Sequence, residues 1–391
     1  MDPVRNPYAP GAGSPPPELA GRSDILNQAK IALQRIAQGR ATKSLIIVGL
    51  RGVGKTVLLT EIERIGENEG YLTYSTEAHE QKTLPALLVP GLRRILFKLS
   101  SIEASKQAAR RGLGILKAFV GSLKVKIGEL EIGVEPEKGS ADSGDLETDL
   151  PDLIVAIGKA AKAAGRPIAI IIDELQYLSA KELSAFIMAI HKINQLQLPL
   201  IFVGAGLPQI LGIAGDSKSY AERLFSFPSV GALEKEDAIS AIVVPATEEG
   251  VKFEKGAVEE IIKQTKGYPY FLQQWAYEAW NHAEQSPITL TLVKSVSAEV
   301  LQELDQSFFK VRLDRCTPTE KKYMRALAEL GPGPHKSSDV ADVLKVKPAS
   351  TSPTRSSLIK KGMVYSPIYG DTEFTVPLFD EFMKRAMPQL L

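Results

Sequence analysis

The segment "GLRGVGKT", residues 49–56, follows directly on the apolar run Leu45-Ile46-Ile47-Val48 and constrains this chain more than any other stretch. Gly49, Gly54, Lys55 and Thr56 match the spacing G-x-x-x-x-G-K-[ST], between a strand and a helix that the pattern runs from Lys55 through Ile65. Glycines let a backbone wrap closely around phosphate oxygens with its N–H groups turned inward. The helix that follows presents its positive end to the same anion. On this reading the loop residues Gly49, Leu50, Arg51, Gly52, Val53, Gly54, Lys55, Thr56 and Val57 line a phosphate site, and the three glycines serve phosphate contact. Lys55 pairs with β- and γ-phosphates, and the Thr56 hydroxyl ligates Mg²⁺.

A second signal is "IAIIIDE", residues 168–174. Five apolar residues are too few to span a bilayer and suit a buried strand, with Asp173 and Glu174 at its C-terminal edge, where open α/β sheets bind ligands. By itself an acid pair after a strand is equally the solvated start of a helix. After a phosphate loop, Asp173 is expected to hold the metal and Glu174 to orient and deprotonate an attacking water. The expected ligands are ATP and Mg²⁺, and the expected chemistry is ATP hydrolysis.

Strands read at 44–48, 71–76, 168–172, 198–204 and 225–230 alternate with helices, which predicts an α/β fold with a parallel sheet covered on both faces. A helix precedes the first strand, and another is expected over Leu153–Ala164. Residues 100–149 read as an insertion, with a hairpin turning at Gly128 and an acidic segment (Glu135, Glu137, Asp142, Asp145, Glu147, Asp149) whose charges solvate it. Residues 1–18, rich in Pro and Gly, read as an extended, poorly packed tail.

Composition excludes several classes. With 44% hydrophobic and 24% charged residues and a net charge of +1, the chain is neither disordered nor a polycation, so nucleic-acid binding requires a local basic patch. The single cysteine, Cys316, cannot form an internal disulfide and suits a reducing compartment. No apolar run approaches the roughly 18 residues a membrane helix needs. A cytoplasmic location without membrane partners is expected.

The phosphate loop, the acid pair and an upstream Gly21-Arg22 box together resemble the P-loop ATPases of the AAA+ class, and within it the origin-recognition-complex-like branch. That resemblance implies that Leu19 and Arg22 lie near the adenine. "GYPYFLQQWAYEAW", residues 267–280, resembles the glycine-x-proline motif of STAND and archaeal-type ATPases, which implies that Pro269 approaches the nucleotide from a helical lid. Gly267-Tyr268-Pro269 also reads as a plain helix start. Arg223, just before the fifth strand, stands where such ATPases carry an arginine reaching a neighbour's γ-phosphate. It is equally a surface partner of Glu222 or another acid. The fourth strand ends Val203-Gly204-Ala205-Gly206 without the polar residue the family usually carries, and the lid lacks the usual second arginine. Both departures imply slow, switch-like turnover.

The fold class that follows is an α/β P-loop NTPase core with an all-α lid and a C-terminal winged helix-turn-helix. Its boundaries are a tail at 1–18, a core at 19–233, a lid at 234–306 and a winged helix at 307–391. In the last, Thr317 or Thr319 caps the first helix, and Tyr323, Met324, Leu327 and Leu330 form its buried face. A helix over 350–361 presents Thr351, Ser352, Thr354 and Arg355 outward, with Lys345, Lys347, Lys360 and Lys361 around it and a wing tipped by Gly370-Asp371. Residues 337–376 are thus the expected contact for double-stranded DNA, and protein contact is the other use of such a module. The function expected is an ATP-binding, ATP-hydrolysing switch acting on DNA. The other reading is a STAND-like adaptor that switches self or protein contacts with little hydrolysis.

Overall fold

The computed structural model describes residues 1–11, 13–124, 133–217, 221–368 and 370–389. They fall into two compact units, one of Asp24–Val48 and Lys55–Ser229, the other of Met1–Ser23, Gly49–Gly54 and Val230–Leu391.

The first unit is built from α1 (Ser23–Ala37), β1 (Ser44–Gly49), α2 (Lys55–Asn68), β2 (Leu72–Glu77), α3 (Leu84–Ser100), α4 (Lys106–Ser122), α5 (Leu146–Ala164), β3 (Ile168–Asp173), α6 (Ala180–Gln195), β4 (Leu200–Gly206), α7 (Ile210–Ser217), α8 (Ala221–Leu224) and β5 (Phe225–Ser226). Its strands run in the order β2-β3-β4-β1-β5, and the pairs are parallel. Strands β1, β3 and β4 are buried at every residue, which explains why they read as unbroken apolar runs.

The stretch read as an insertion contributes to this core. Helix α4 buries Leu113, Leu116 and Phe119 with the sheet-covering helices. Helix α5 begins at Leu146, well before the expected Leu153, and carries Pro151 inside it. A proline cannot donate to the helical ladder, yet α5 runs through Pro151. Asp149 does not solvate the segment. It is buried and accepts hydrogen bonds from the Ser143 N–H (3.1 Å), the Ser143 hydroxyl (2.7 Å), the Gly144 N–H (2.9 Å) and the Ser122 hydroxyl (3.2 Å). A buried carboxylate is tolerated only with such partners. The expected hairpin around Gly128 lies outside the described residues.

After β6 (Ser229–Val230), the second unit holds α9 (Lys235–Glu248), α10 (Lys255–Thr265), α11 (Pro269–His282) and α12 (Leu290–Glu303), a π-helical turn at Leu304–Phe309, and α13 (Lys310–Leu313). There follow α14 (Pro318–Glu329), β7 (His335–Lys336), α15 (Ser337–Val343), α16 (Pro348–Lys360), β8 (Val364–Tyr365), β9 (Asp371–Phe374) and α17 (Phe379–Ala386). The three short strands form an antiparallel sheet in the order β7-β9-β8. One apolar cluster runs from Trp275 and Trp280 through Phe271, Phe308 and Phe309 to Phe379 and Phe382.

The start of the chain belongs to that cluster rather than to a loose tail. Tyr8 is 2% exposed and its hydroxyl donates to the Ile242 carbonyl. The Trp280 Nε1–H donates to the Asp2 carbonyl at 3.0 Å, and the Asn6 amide donates to the Tyr277 carbonyl at 3.0 Å. The segment holds only a short 3₁₀ turn, Pro3–Arg5, so Pro/Gly content signalled little regular structure but did not exclude packing.

Candidate nucleotide site

Each glycine of the loop meets a different demand. A Cβ on Gly49 would lie 2.2 Å from the Val230 carbonyl oxygen, so close backbone packing by itself demands glycine at this position. Gly54 adopts φ +92° with open space around it, so what it needs is the left-handed backbone alone. Gly52 lies against the start of α11: its carbonyl accepts from the Tyr270 N–H at 3.2 Å, and a Cβ there would sit 3.3 Å from that of Tyr270. Val53 is buried, and its carbonyl accepts from the Arg22 guanidinium at 3.3 Å. The Arg51 N–H donates to the Thr375 carbonyl at 2.9 Å. Leu50, Arg51 and Val57 are half-buried, Lys55 opens α2 and is 6% exposed, and Thr56 is exposed.

The acid pair is joined to the start of α2. Asp173, at the end of β3, accepts the Thr56 hydroxyl on Oδ2 at 2.6 Å and the Glu174 N–H on Oδ1 at 2.7 Å. Burial pushes the Asp173 carboxyl up. The Thr56 hydrogen bond opposes this, the Glu174 charge adds to it, and the Glu174 N–H and the Lys55 ammonium pull down. A threonine hydroxyl converging on a carboxylate is the oxygen donor set that Mg²⁺ takes, so these residues fit that ion.

Glu174 itself has left-handed backbone, φ 55° and ψ 41°, a conformation that costs a residue other than glycine about 1–3 kcal/mol. Its carboxylate accepts from the Gln176 amide nitrogen, while the Gln176 Oε1 accepts from the Leu207 N–H at 3.0 Å, just beyond β4. Sequence reasoning did not single out Gln176. Nothing in "DELQYL" indicates that its side chain meets the end of another strand. The apolar end of β4 has a packing reason, because a Cβ on Gly204 would lie 2.4 Å from the Leu175 Cδ1.

The remaining candidates stand as follows. Arg22 is 9% exposed and also donates to the Gly231 carbonyl at 2.7 Å, so its guanidinium ties backbone segments together. Burial lowers its pKa and Asp237 raises it. Leu19 is half-buried. Pro269 occupies the first turn of α11, after a Gly267 whose Cβ would meet the Leu233 carbonyl oxygen at 2.7 Å. Tyr270, the next residue, stacks on Phe308 with ring centroids 4.6 Å apart. Arg223 is exposed on α8 directly before β5.

One of the two caps expected for α14 is used, and the C-terminal surface differs from expectation at Thr351, Arg355 and Lys361. Thr317, not Thr319, caps α14, in a reciprocal box with Glu320. Thr351 is 4% exposed and donates to the Pro348 carbonyl at 2.8 Å, so it does not point outward. Arg355 is spent within the module, donating to the Thr372 hydroxyl (2.7 Å), the Ser366 hydroxyl (2.8 Å) and the Asp371 carbonyl (2.6 Å). Lys361 is likewise paired, with Glu320 at 2.7 Å. Lys345, Lys347, Lys360 and Ser352 remain exposed. Among the described residues no helix is long and apolar enough to cross a membrane.

Comparison with known proteins adds to this geometry. Residues 18–203 match an AAA ATPase domain. The AAA ATPase match runs from before α1 into β4 and includes the glycine-rich loop and the Asp173-Glu174 pair. Residues 306–383 match a domain of unknown function (DUF8462). A search of the curated proteins gave no match. Among solved structures, the Walker-type ATPase of Pyrococcus abyssi is similar at 17% identity, over 94% of this chain and 96% of that one, with a TM-score of 0.57. The Aeropyrum pernix Orc1 protein in complex with DNA aligns at 16% identity over 98% and 96%, with a TM-score of 0.49. The Thermotoga maritima RuvB Holliday junction branch migration motor aligns at 15% over 95% and 99%, with a TM-score of 0.45. The fold is that of an α/β P-loop NTPase, a mostly parallel sheet with helices, followed by further helical structure.

Proposed function

We propose that this protein is a Mg²⁺-dependent ATP-binding and ATP-hydrolysing switch of the AAA+ type, with an origin-recognition-like plan, whose nucleotide state governs DNA engagement by a C-terminal winged helix. The observation that carries the reading is the 2.6 Å hydrogen bond between the Thr56 hydroxyl and Asp173, which joins the phosphate-loop signature to the acid pair. The AAA ATPase match over residues 18–203 and the similarity to a Walker-type ATPase support it.

In this mechanism the loop N–H groups and the Lys55 ammonium hold the β- and γ-phosphates. Thr56 and Asp173 hold Mg²⁺, which neutralises charge on the phosphate oxygens when bound. Glu174 orients a water and takes its proton as the new oxygen–phosphorus bond forms and the bond to the ADP oxygen breaks. Arg22 and Leu19 serve the base side, and Pro269 belongs to a lid at 234–306 that senses the nucleotide through the Tyr270–Gly52 hydrogen bond. The Arg51–Thr375 hydrogen bond offers a similar route from the loop to the winged helix. Arg223 acts on the nucleotide of a second copy. For DNA the module offers Lys345, Lys347, Lys360 and Ser352.

A second reading, an adaptor that switches protein contacts with little hydrolysis, is favoured by one observation: Arg355, Thr351 and Lys361 are consumed internally, which leaves a modest basic surface. Calorimetry of Lys55→Ala tests the ATP site, and retained micromolar ATP binding would remove it. Phosphate release by wild type and Glu174→Gln, each with and without duplex DNA, separates the two readings. Stimulation by DNA, with binding that weakens steeply in salt, supports the first. Near-zero turnover with nucleotide-dependent complex formation supports the second.

A further inference from the structure

The Gln176 side chain is held at both ends. Its Oε1 accepts from the backbone N–H of Leu207 at 3.0 Å, and its Nε2 donates to the Glu174 carboxylate. A side-chain amide has one accepting end and one donating end, so the Leu207 N–H fixes which end faces Glu174. The donor must point at the carboxylate. Gln176 also lies in the 3₁₀ turn, Leu175–Tyr177, that the left-handed backbone of Glu174 initiates. It therefore joins the acid to the end of β4, where Val203-Gly204-Ala205-Gly206 supplies no polar side chain.

We infer that Gln176 is a positioning residue for hydrolysis: it clasps the Glu174 carboxylate and registers it to the end of β4 through Leu207. This rests on the reading of Glu174 as the base. The clasp restricts the carboxylate to one orientation, and loss of such orientation costs rate rather than affinity.

The decisive variant is Gln176→Glu, whose carboxylate can still accept from the Leu207 N–H but has no donor for Glu174. A residue that only braced the backbone would tolerate this change. The inference expects kcat to fall by about 10- to 100-fold with the affinity for ATP and the Tm little altered, and Gln176→Leu to lose at least as much. Gln176→Glu with wild-type kcat overturns it. A second measurement does not depend on turnover: the side-chain amide resonance of Gln176 in ¹⁵N-labelled full-length protein, compared with Glu174→Ala. A large shift supports the clasp, and an unmoved resonance overturns it. If wild type proves inactive while the resonance moves, the clasp stands and it is the hydrolysis reading that falls.

Discussion

The N–H of Arg51, inside the glycine-rich loop, donates to the carbonyl of Thr375, the residue directly after β9, at 2.9 Å. Thr375 is fully buried, and its hydroxyl donates to the Gly362 carbonyl at 2.6 Å. A hydroxyl therefore holds the strand end that presents the carbonyl to the loop. Thr375→Val keeps the shape and leaves the Gly362 carbonyl without this donor. It should destabilise the protein by about 1–3 kcal/mol, the usual penalty for an unsatisfied buried polar group. Denaturant unfolding checks this, and a midpoint equal to wild type would mean the hydroxyl does not hold the strand.

Thr56 and Asp173 converge in a hydrogen bond of 2.6 Å, and the proposed metal role gives that pair a distinct signature. Thr56→Ser keeps the hydroxyl and should preserve the effect of Mg²⁺ on ATP affinity. Thr56→Ala should lose most of it while the protein stays folded. Titration of ATP with and without Mg²⁺ measures the difference, and an undiminished Mg²⁺ effect in Thr56→Ala would exclude the hydroxyl as a ligand.

Gly49 and Gly54 should respond differently to alanine. At Gly49 the new methyl meets backbone oxygen at 2.2 Å, and a carbonyl has no rotamer by which to escape. At Gly54 nothing lies within 4 Å, and only the positive φ is strained. Gly49→Ala should therefore cost the larger stability loss, above about 2 kcal/mol, and Gly54→Ala about 1–2 kcal/mol. Equal Tm values for the two variants would contradict this division of roles.

Glu320 gives the C-terminal part of the chain a pH dependence. Burial raises its pKa, but the Lys361 ammonium, the Ser357 hydroxyl and the Thr317 N–H more than offset this and hold the carboxyl at about 2, below its ordinary 4.5. Its stabilising contribution is therefore complete above about pH 4.5 and is lost as the pH falls from there through about 2. Glu320→Gln should be less stable than wild type at pH 7 by about 2–3 kcal/mol, with the gap narrowing towards pH 3. Unfolding of both proteins across that range tests it, and a gap independent of pH would refute the assignment.

Features whose physics is local were legible in the order of residues alone. The strand Leu45–Val48, the loop Gly49–Thr56 and the helix after it follow from an apolar run, positive-φ glycines and the absence of a helix breaker. "IAIIID" likewise identified the buried strand that ends at Asp173. The parallel alternation of the core was legible for the same reason, since strands buried on both faces leave continuous apolar runs.

Tertiary structure alone decided what each polar group is bonded to. Arg355 looks free on a helix until β9 and Ser366 take its guanidinium, and Asp149 looks solvated until Ser122, Ser143 and Gly144 enclose it. Tyr8 looked like part of a loose tail, and Gln176 was not singled out at all. Periodicity records which residues leave water. The partner a hydrogen-bonding group finds depends on distance and angle to residues far along the chain, and only the packed fold sets those.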